Sequence, residues 1–260
     1  MVYYLKIAGI GVKVNCPKNL CLFDGWKIFF EEKWGKPFLV KKVKDVSLTI
    51  YLEGVKIKGA KSITKTVPRE SIILPKVRSG KIYFDNLLNP GYLLVLIREA
   101  VGDFILKKEG AIMHASGVVI NDKALLIMGE SGSGKTTTLK KLMGKYRPIA
   151  EDDVAIEVLD NKIVASPVLF SVKLDSNLLV SKSYEVGKII TIKKNKKLDL
   201  IKMPKVKAFQ FLLEQSKSLI NTKSNALRIM KFAKLLSDKV YTLNCQKEDE
   251  LNDIIRELNI

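Results

Sequence analysis

Eight consecutive residues, Gly129-Glu130-Ser131-Gly132-Ser133-Gly134-Lys135-Thr136, satisfy the pattern GxxxxGK[ST] at every fixed position. The chemistry they suit is phosphate binding. The glycines let the backbone curl so that successive N–H groups point at phosphate oxygens, and a following helix adds the positive end of its dipole. Lys135 supplies a mobile point charge for the β- and γ-phosphates, the Thr136 hydroxyl can ligate Mg²⁺, and Thr137 continues the nucleotide-binding run. ATP or GTP binding is the firmest expectation from the sequence. The loop names no reaction by itself, because motors, switches and kinases share it.

Acidic residues follow at close range. Only 16 residues separate Lys135 from Asp152, so one short helix and one short strand must bring Glu151-Asp152-Asp153 back beside the phosphates. Adjacent carboxylates repel unless a cation or a proton relieves them, and Mg²⁺ on a triphosphate would do so. One can hold the metal while the other accepts a proton from an attacking hydroxyl. The competing reading is an acidic turn on a basic surface. His114, the single histidine, sits in the apolar segment before the loop and is either a packed strand residue or a neighbour of the phosphates.

The elements that must position these residues are legible to different degrees. Ala111 to Ile120 and Ala124 to Met128 are apolar runs joined by Asn121-Asp122, which predicts an antiparallel hairpin feeding the loop. After the loop a helix is expected to end near Gly144, with strands around residues 148–150, 154–158, 163–165, 170–174 and 189–192. Ala226, Leu227, Met230, Ala233 and Leu236 stripe a helix with Ser224 as a cap, and Leu251, Ile254, Ile255 and Leu258 stripe the last one; these positions read as core contacts. Upstream, Leu5 to Ile7 and Val12 to Val14 flank Gly9 and Gly11, and Val46, Leu48, Ile50 and Leu52 alternate with polar residues at the strand period. Gly54, Gly59, Pro68, Pro75 and Gly80 punctuate the stretch after that strand. Beyond Asn89-Pro90-Gly91, Leu93, Leu94, Ile97, Ala100, Val101 and Ile105 fall at helical spacing. The expected organisation is a β-rich region over 1–84, a connecting helix over 85–109 and a nucleotide-binding domain over 110–260.

Composition narrows the class. With 47% hydrophobic and 28% charged residues, disorder, collagen and a disulfide framework are excluded. The longest aliphatic run, Leu93 to Ile97, is far short of a membrane span, and the first residues lack the layout of a signal peptide, so no membrane partner and a cytoplasmic location are expected. Cys16, Cys21 and Cys245 form no close pair, so a zinc site lacks ligands and any metal should be held by oxygen. The net charge of +18 favours anionic partners, yet the excess lysine is scattered and Lys193-Lys194-Asn195-Lys196-Lys197 carries no interleaved aromatics. A nucleic-acid partner therefore rests on charge alone and is not expected. A reading of Lys173 as a phosphate contact yields to that of a surface-strand lysine.

Taken together, Met113-His114-Ala115-Ser116-Gly117-Val118-Val119, the segment from Ala124 through the loop to Thr136, and Ile149-Ala150-Glu151-Asp152-Asp153-Val154-Ala155-Ile156 resemble the catalytic core of HPr kinase/phosphorylase and its relatives. The resemblance covers about residues 110–158 and is looser beyond. It implies an α/β fold with the mixed-sheet P-loop kinase core shared with phosphoenolpyruvate carboxykinase, preceded by a small β-rich N-terminal region. By it, Asp152 matches the aspartate that activates a seryl hydroxyl, Asp153 and Thr136 the metal-associated positions, and His114 the histidine near the transferred phosphate, with Lys135 on the phosphates. The implied cofactors are ATP and Mg²⁺, and by analogy a homo-oligomer is implied. Two departures shape the acceptor. The stretch Glu185-Val186-Gly187-Lys188-Ile189-Ile190 lacks the arginine of the family's HPr-recognition segment, and Ala115-Ser116 follows His114 where the bifunctional enzymes carry glycine. A serine-type hydroxyl on a peptide, a small protein or a metabolite is the acceptor expected. The alternative is a P-loop ATPase or nucleotide-dependent regulator whose acceptor is water.

Overall fold

The structure is a computed structural model that describes residues 2–15, 36–52, 76–78, 81–84, 90–168, 178, 181–216, 223–246 and 249–259. Cys16, Cys21, Gly54, Gly59, Pro68, Pro75, Gly80, Asn89, and the strand expected over 170–174 with Lys173, lie outside the described residues. The chain divides into two compact units, Met1–Ile97 and Arg98–Ile260.

Among the described residues the first unit holds a sheet of six short strands, β1 (Val2–Ile7), β2 (Ile10–Asn15), β3 (Leu39–Val40), β4 (Leu48–Leu52), β5 (Lys76–Arg78) and β6 (Lys81–Phe84), in the order β3-β1-β2-β4-β6-β5. Ala8 and Gly9 turn the β1–β2 hairpin at positive φ of 47° and 73°. Leu5, Ile7, Ile10, Val12, Val14, Leu48 and Ile50 are buried, as their alternation predicts. Val46 is the exception: it precedes β4 and is exposed.

The helix α1 (Pro90–Lys107) starts on the proline expected to break the chain, since proline lacks only an N–H that the first turn leaves unpaired anyway. The second unit then runs β7 (Ala111–Ile120), β8 (Lys123–Met128), α2 (Lys135–Met143), β9 (Arg147–Ala150), β10 (Asp153–Leu159), β11 (Lys162–Pro167), β12 (Tyr184–Lys194), β13 (Asp199–Lys202), α3 (Lys205–Gln215), α4 (Lys223–Leu236), β14 (Val240–Cys245) and α5 (Leu251–Leu258). Its sheet is mixed: β11-β10-β7-β8-β12-β14-β13, with β9 beside β7. Strand β8 is antiparallel to β7 and parallel to β12, which is in turn parallel to β14. The β7–β8 turn holds Asn121 and Asp122 at φ 48° and 59°, the left-handed geometry that two-residue hairpin loops use.

Both faces of the central strands are covered. On β8, Ala124, Leu126 and Met128 pack with Ala208 and Leu212 of α3 and Phe232, Ala233 and Leu236 of α4. Leu125 and Ile127 pack on the other face with Leu139 and Leu142 of α2 and Ile254 and Leu258 of α5. A strand buried on both faces reads as continuous apolar sequence, which is what Ala124 to Met128 shows. The second unit is thus a three-layer α/β domain around a mixed sheet, with a phosphate-loop segment between β8 and α2, and the first is a small β unit. No helix among the described residues is long and apolar enough to cross a membrane.

The structure corrects two expectations. Helix α4 starts at Lys223, so Ser224 lies in its first turn, and its buried face is Asn225, Phe232, Ala233 and Leu236, whereas Leu227 and Met230 are 58% and 45% exposed. In the second unit, α3, β13 and β14 are additions to the expected set. In α3 the apolar residues surround the helix, with Val206 exposed and Ala208 and Leu212 buried, which blurs the periodic signal.

Candidate active site

The loop is shaped by its backbone. Gly134, at φ 96°, ends it in the left-handed conformation, which a Cβ would penalise by about 1–2 kcal/mol. Gly129, at φ 142°, fits beside its neighbours because a Cβ there would lie 3.0 Å from Ser133 Oγ and 3.3 Å from Thr191 Oγ1. Among the described residues no side chain caps α2, and no acidic residue occupies its first turn, so the helix presents its N–H groups and positive end to the loop. Lys135 folds back over this concavity, its Nζ donating to the carbonyls of Gly129 at 2.6 Å and Glu130 at 2.9 Å. Ser133 Oγ is buried and has no hydrogen-bond partner among the described residues. Thr136 and Thr137 are exposed. A concave array of backbone donors, one ammonium group and an unsatisfied hydroxyl is chemistry that a polyphosphate completes.

Register places the other site residues. Ala115 of β7 lies opposite Met128, the last residue of β8, so His114 comes level with Gly129. Across the other edge of β7, His114 pairs with Asp153 of β10. Glycine loop, histidine and aspartate pair therefore share one level across three neighbouring strands, about 10 Å from first to last at two strand spacings.

Between β9 and β10 the chain bends at Glu151 and Asp152, and three consecutive residues of β7 hold the bend. Ser116 Oγ donates to Glu151 O at 2.6 Å, Ala115 N donates to Asp152 O at 3.2 Å, and His114 Nδ1 lies 2.8 Å from the same Asp152 oxygen. A carbonyl oxygen only accepts, so Nδ1 is the donor in this contact. The bend separates the two aspartates. The Asp152 side chain is 57% exposed, with Oδ1 3.2 Å from His114 Nδ1. The Asp153 side chain is 3% exposed, with Oδ1 3.9 Å from His114 Nδ1 and Oδ2 3.7 Å from Arg98 Nη1 of α1. Asp153 is thus a buried strand carboxylate, whereas Glu151 and Asp152 form the acidic bend, half-buried and exposed respectively. Further along β10, burial pushes the Glu157 carboxyl above its ordinary range, and Lys108 partly offsets this.

The donor set also bears on the metal. Among the described residues no three His, Cys, Asp or Glu side chains form a metal cage. A magnesium ion that arrives on nucleotide phosphates needs only one or two protein oxygens, and the Thr136 hydroxyl and an Asp carboxylate are of that type. Sequence reasoning missed Arg98, Ser116 and Thr191, which reach the site only through strand register and helix placement.

Comparison with known proteins agrees with the loop. No curated protein matches the chain. Among solved structures, the HPr(Ser) kinase/phosphatase from Coxiella burnetii is similar at 22% identity and a TM-score of 0.27, over 36% of this chain and 69% of that one, a likeness too partial to bear on function. The narrower HPr-kinase membership is thus not shown. The family profile described as ABC transporter matches residues 113–259, from the His114 strand through the last helix, which is more than half of the chain. By that match this chain, with its phosphate loop between β8 and α2, belongs to the ABC transporter family of P-loop ATPases.

Proposed function

We propose that the protein is an ATP- and Mg²⁺-dependent kinase that transfers the γ-phosphoryl group to a serine-type hydroxyl on a peptide, small protein or small molecule. The observation that carries this reading is the alignment of His114 and the Asp152-Asp153 bend with the first glycine of the phosphate loop. The resemblance of these same segments to the HPr kinase core supports it.

In this reading the loop N–H groups, Lys135 and the start of α2 hold the β- and γ-phosphates. Asp152, the exposed carboxylate, accepts the proton of the acceptor hydroxyl as its oxygen bonds to the γ-phosphorus; the bond from that phosphorus to the β–γ bridging oxygen breaks and ADP leaves. His114 orients Asp152 through the Nδ1 proton on its carbonyl. Thr136 and Asp153 would hold Mg²⁺, which when bound would supply charge neutralisation. Catalysis is then positioning plus electrostatics, with no covalent enzyme intermediate.

A second reading, an ATPase or nucleotide-dependent regulator with water as acceptor, is favoured by the ABC transporter family match. The two separate when the protein is incubated with Mg²⁺ and γ-labelled ATP, alone and with serine and serine-containing peptides. Label on a hydroxyl compound supports the kinase. Release of label as free phosphate at a rate unchanged by any acceptor supports the ATPase and counts against the kinase.

A further inference from the structure

The bend leaves Asp153 buried, and a carboxylate removed from water requires a countercharge or strong hydrogen bonds. Helix α1 brings one. Gly102 on α1 lies against β7, where a Cβ would come within 3.4 Å of Ile112 Cδ1, so the helix crosses the strand closely at that point. Arg98 stands four residues earlier and hence on the same face, about 6 Å back along the helix. His114 stands two residues beyond Ile112, about 6.7 Å along β7 at strand spacing, and Asp153 is paired with it. The two displacements match, and the Arg98 guanidinium ends 3.7 Å from Asp153 Oδ2 with a side chain only 20% exposed.

We infer that Arg98 is a positioning residue for the divalent cation: it holds Asp153 Oδ2, fixing the carboxylate so that Oδ1 stays on the side of His114 and the phosphate loop. The inference rests on the metal role given to Asp153 above, and no comparison assigns any role to Arg98. Residues that orient a metal ligand typically change metal affinity by about 10–100-fold when removed. A lysine at the same place keeps a positive charge facing Asp153 Oδ2.

The test uses the full chain as wild type, Arg98→Met, Arg98→Lys and Asp153→Asn. Mn²⁺ is titrated at saturating ADP, with water-proton relaxation reporting protein-bound Mn²⁺, and ADP affinity is measured separately in EDTA. Arg98→Met should weaken Mn²⁺ binding at least about tenfold while ADP affinity in EDTA stays within about twofold, and Arg98→Lys should recover most of the loss. Arg98→Met that binds Mn²⁺ like wild type, while Asp153→Asn does not, overturns the role of Arg98 and leaves the metal role of Asp153 standing. Unchanged Mn²⁺ binding in Asp153→Asn overturns the metal reading itself. Parallel loss of ADP affinity in EDTA marks Arg98 as a general structural support and overturns the inference. Should Arg98→Met fail to fold, Arg98→Lys and Arg98→Gln carry the same comparison, the glutamine losing Mn²⁺ affinity and the lysine keeping it.

Discussion

The phosphate loop and the acidic bend lie at one level of the sheet and are built in opposite ways. The loop is local and made of backbone: eight contiguous residues whose glycines set the chain path, with the Lys135 side chain folded over it. The bend is non-local and made of side chains: Arg98 from α1, His114 and Ser116 from β7, and the aspartates at the β9–β10 junction, held by bonds spanning 35 and 38 residues of sequence for Ser116 and His114. The difference teaches a division of labour. A backbone cradle suits any triphosphate and is general across reactions, while in the proposed reading the side-chain corner sets what happens to the last phosphate.

Substitutions at four positions break or sharpen that comparison. The largest effect is expected for Asp152→Asn, which should lower phosphoryl transfer by about 10²–10⁴-fold while nucleotide affinity stays within about twofold, measured by turnover beside equilibrium binding. Lys135→Met should do the converse to binding, weakening nucleotide affinity by about 30–100-fold, the scale of a lost charge-assisted contact, with the fold unchanged by thermal melting. His114 is the hinge between the two. His114→Asn keeps an N–H near the position of Nδ1 and should cost about tenfold less in turnover than His114→Ala, which also releases the Asp152 carbonyl. Equal losses in the two variants would mean that the Nδ1 bond does not position Asp152.

The smallest effect lies further along β10 and shows what burial does to a carboxyl outside the site. Glu157 has a folded-state protonation range raised above 4.5 by burial, with Lys108 partly countering it. A raised value means that the folded state keeps the proton to higher pH than the unfolded chain, so this stabilisation is complete below the unfolded value and is lost as pH rises through the folded one. Glu157→Gln cannot lose a proton. Its melting temperature should equal that of wild type near pH 4 and exceed it by about 1–2 °C at pH 8, a small shift because Lys108 offsets part of the burial cost. An equal difference at both pH values would place the effect in packing rather than in ionisation.

The same local and non-local division explains what is legible in the sequence. Gly129 to Thr136, the Asn121-Asp122 hairpin and the helix ending at Gly144 are contiguous signals, and the structure has them at the expected places. Spacing alone suggests that His114 and the aspartates come near the loop, and the register supplies it. Arg98 is not legible: in the sequence it is one polar residue among helix positions, and only the close crossing at Gly102 brings it to Asp153. Helix α4 misleads for a different reason. Its sequence offers two overlapping apolar stripes, and the one chosen by packing includes the buried polar Asn225 and leaves Leu227 and Met230 in solvent, which periodicity alone ranks the other way.

His114 is the single histidine of the chain, so its imidazole protons give one set of resonances in the magnetic resonance spectrum. Recording the Cε1–H signal while Mn²⁺·ADP is added tests whether loop and bend form one site. The signal should broaden in the wild type with Mn²⁺·ADP, remain sharp with Mg²⁺·ADP, and remain sharp in Lys135→Met at concentrations that saturate the wild type. A His114 signal that stays sharp while Mn²⁺·ADP fills the wild-type protein would separate the histidine and its aspartates from the phosphates, and would contradict a shared phosphoryl-transfer site.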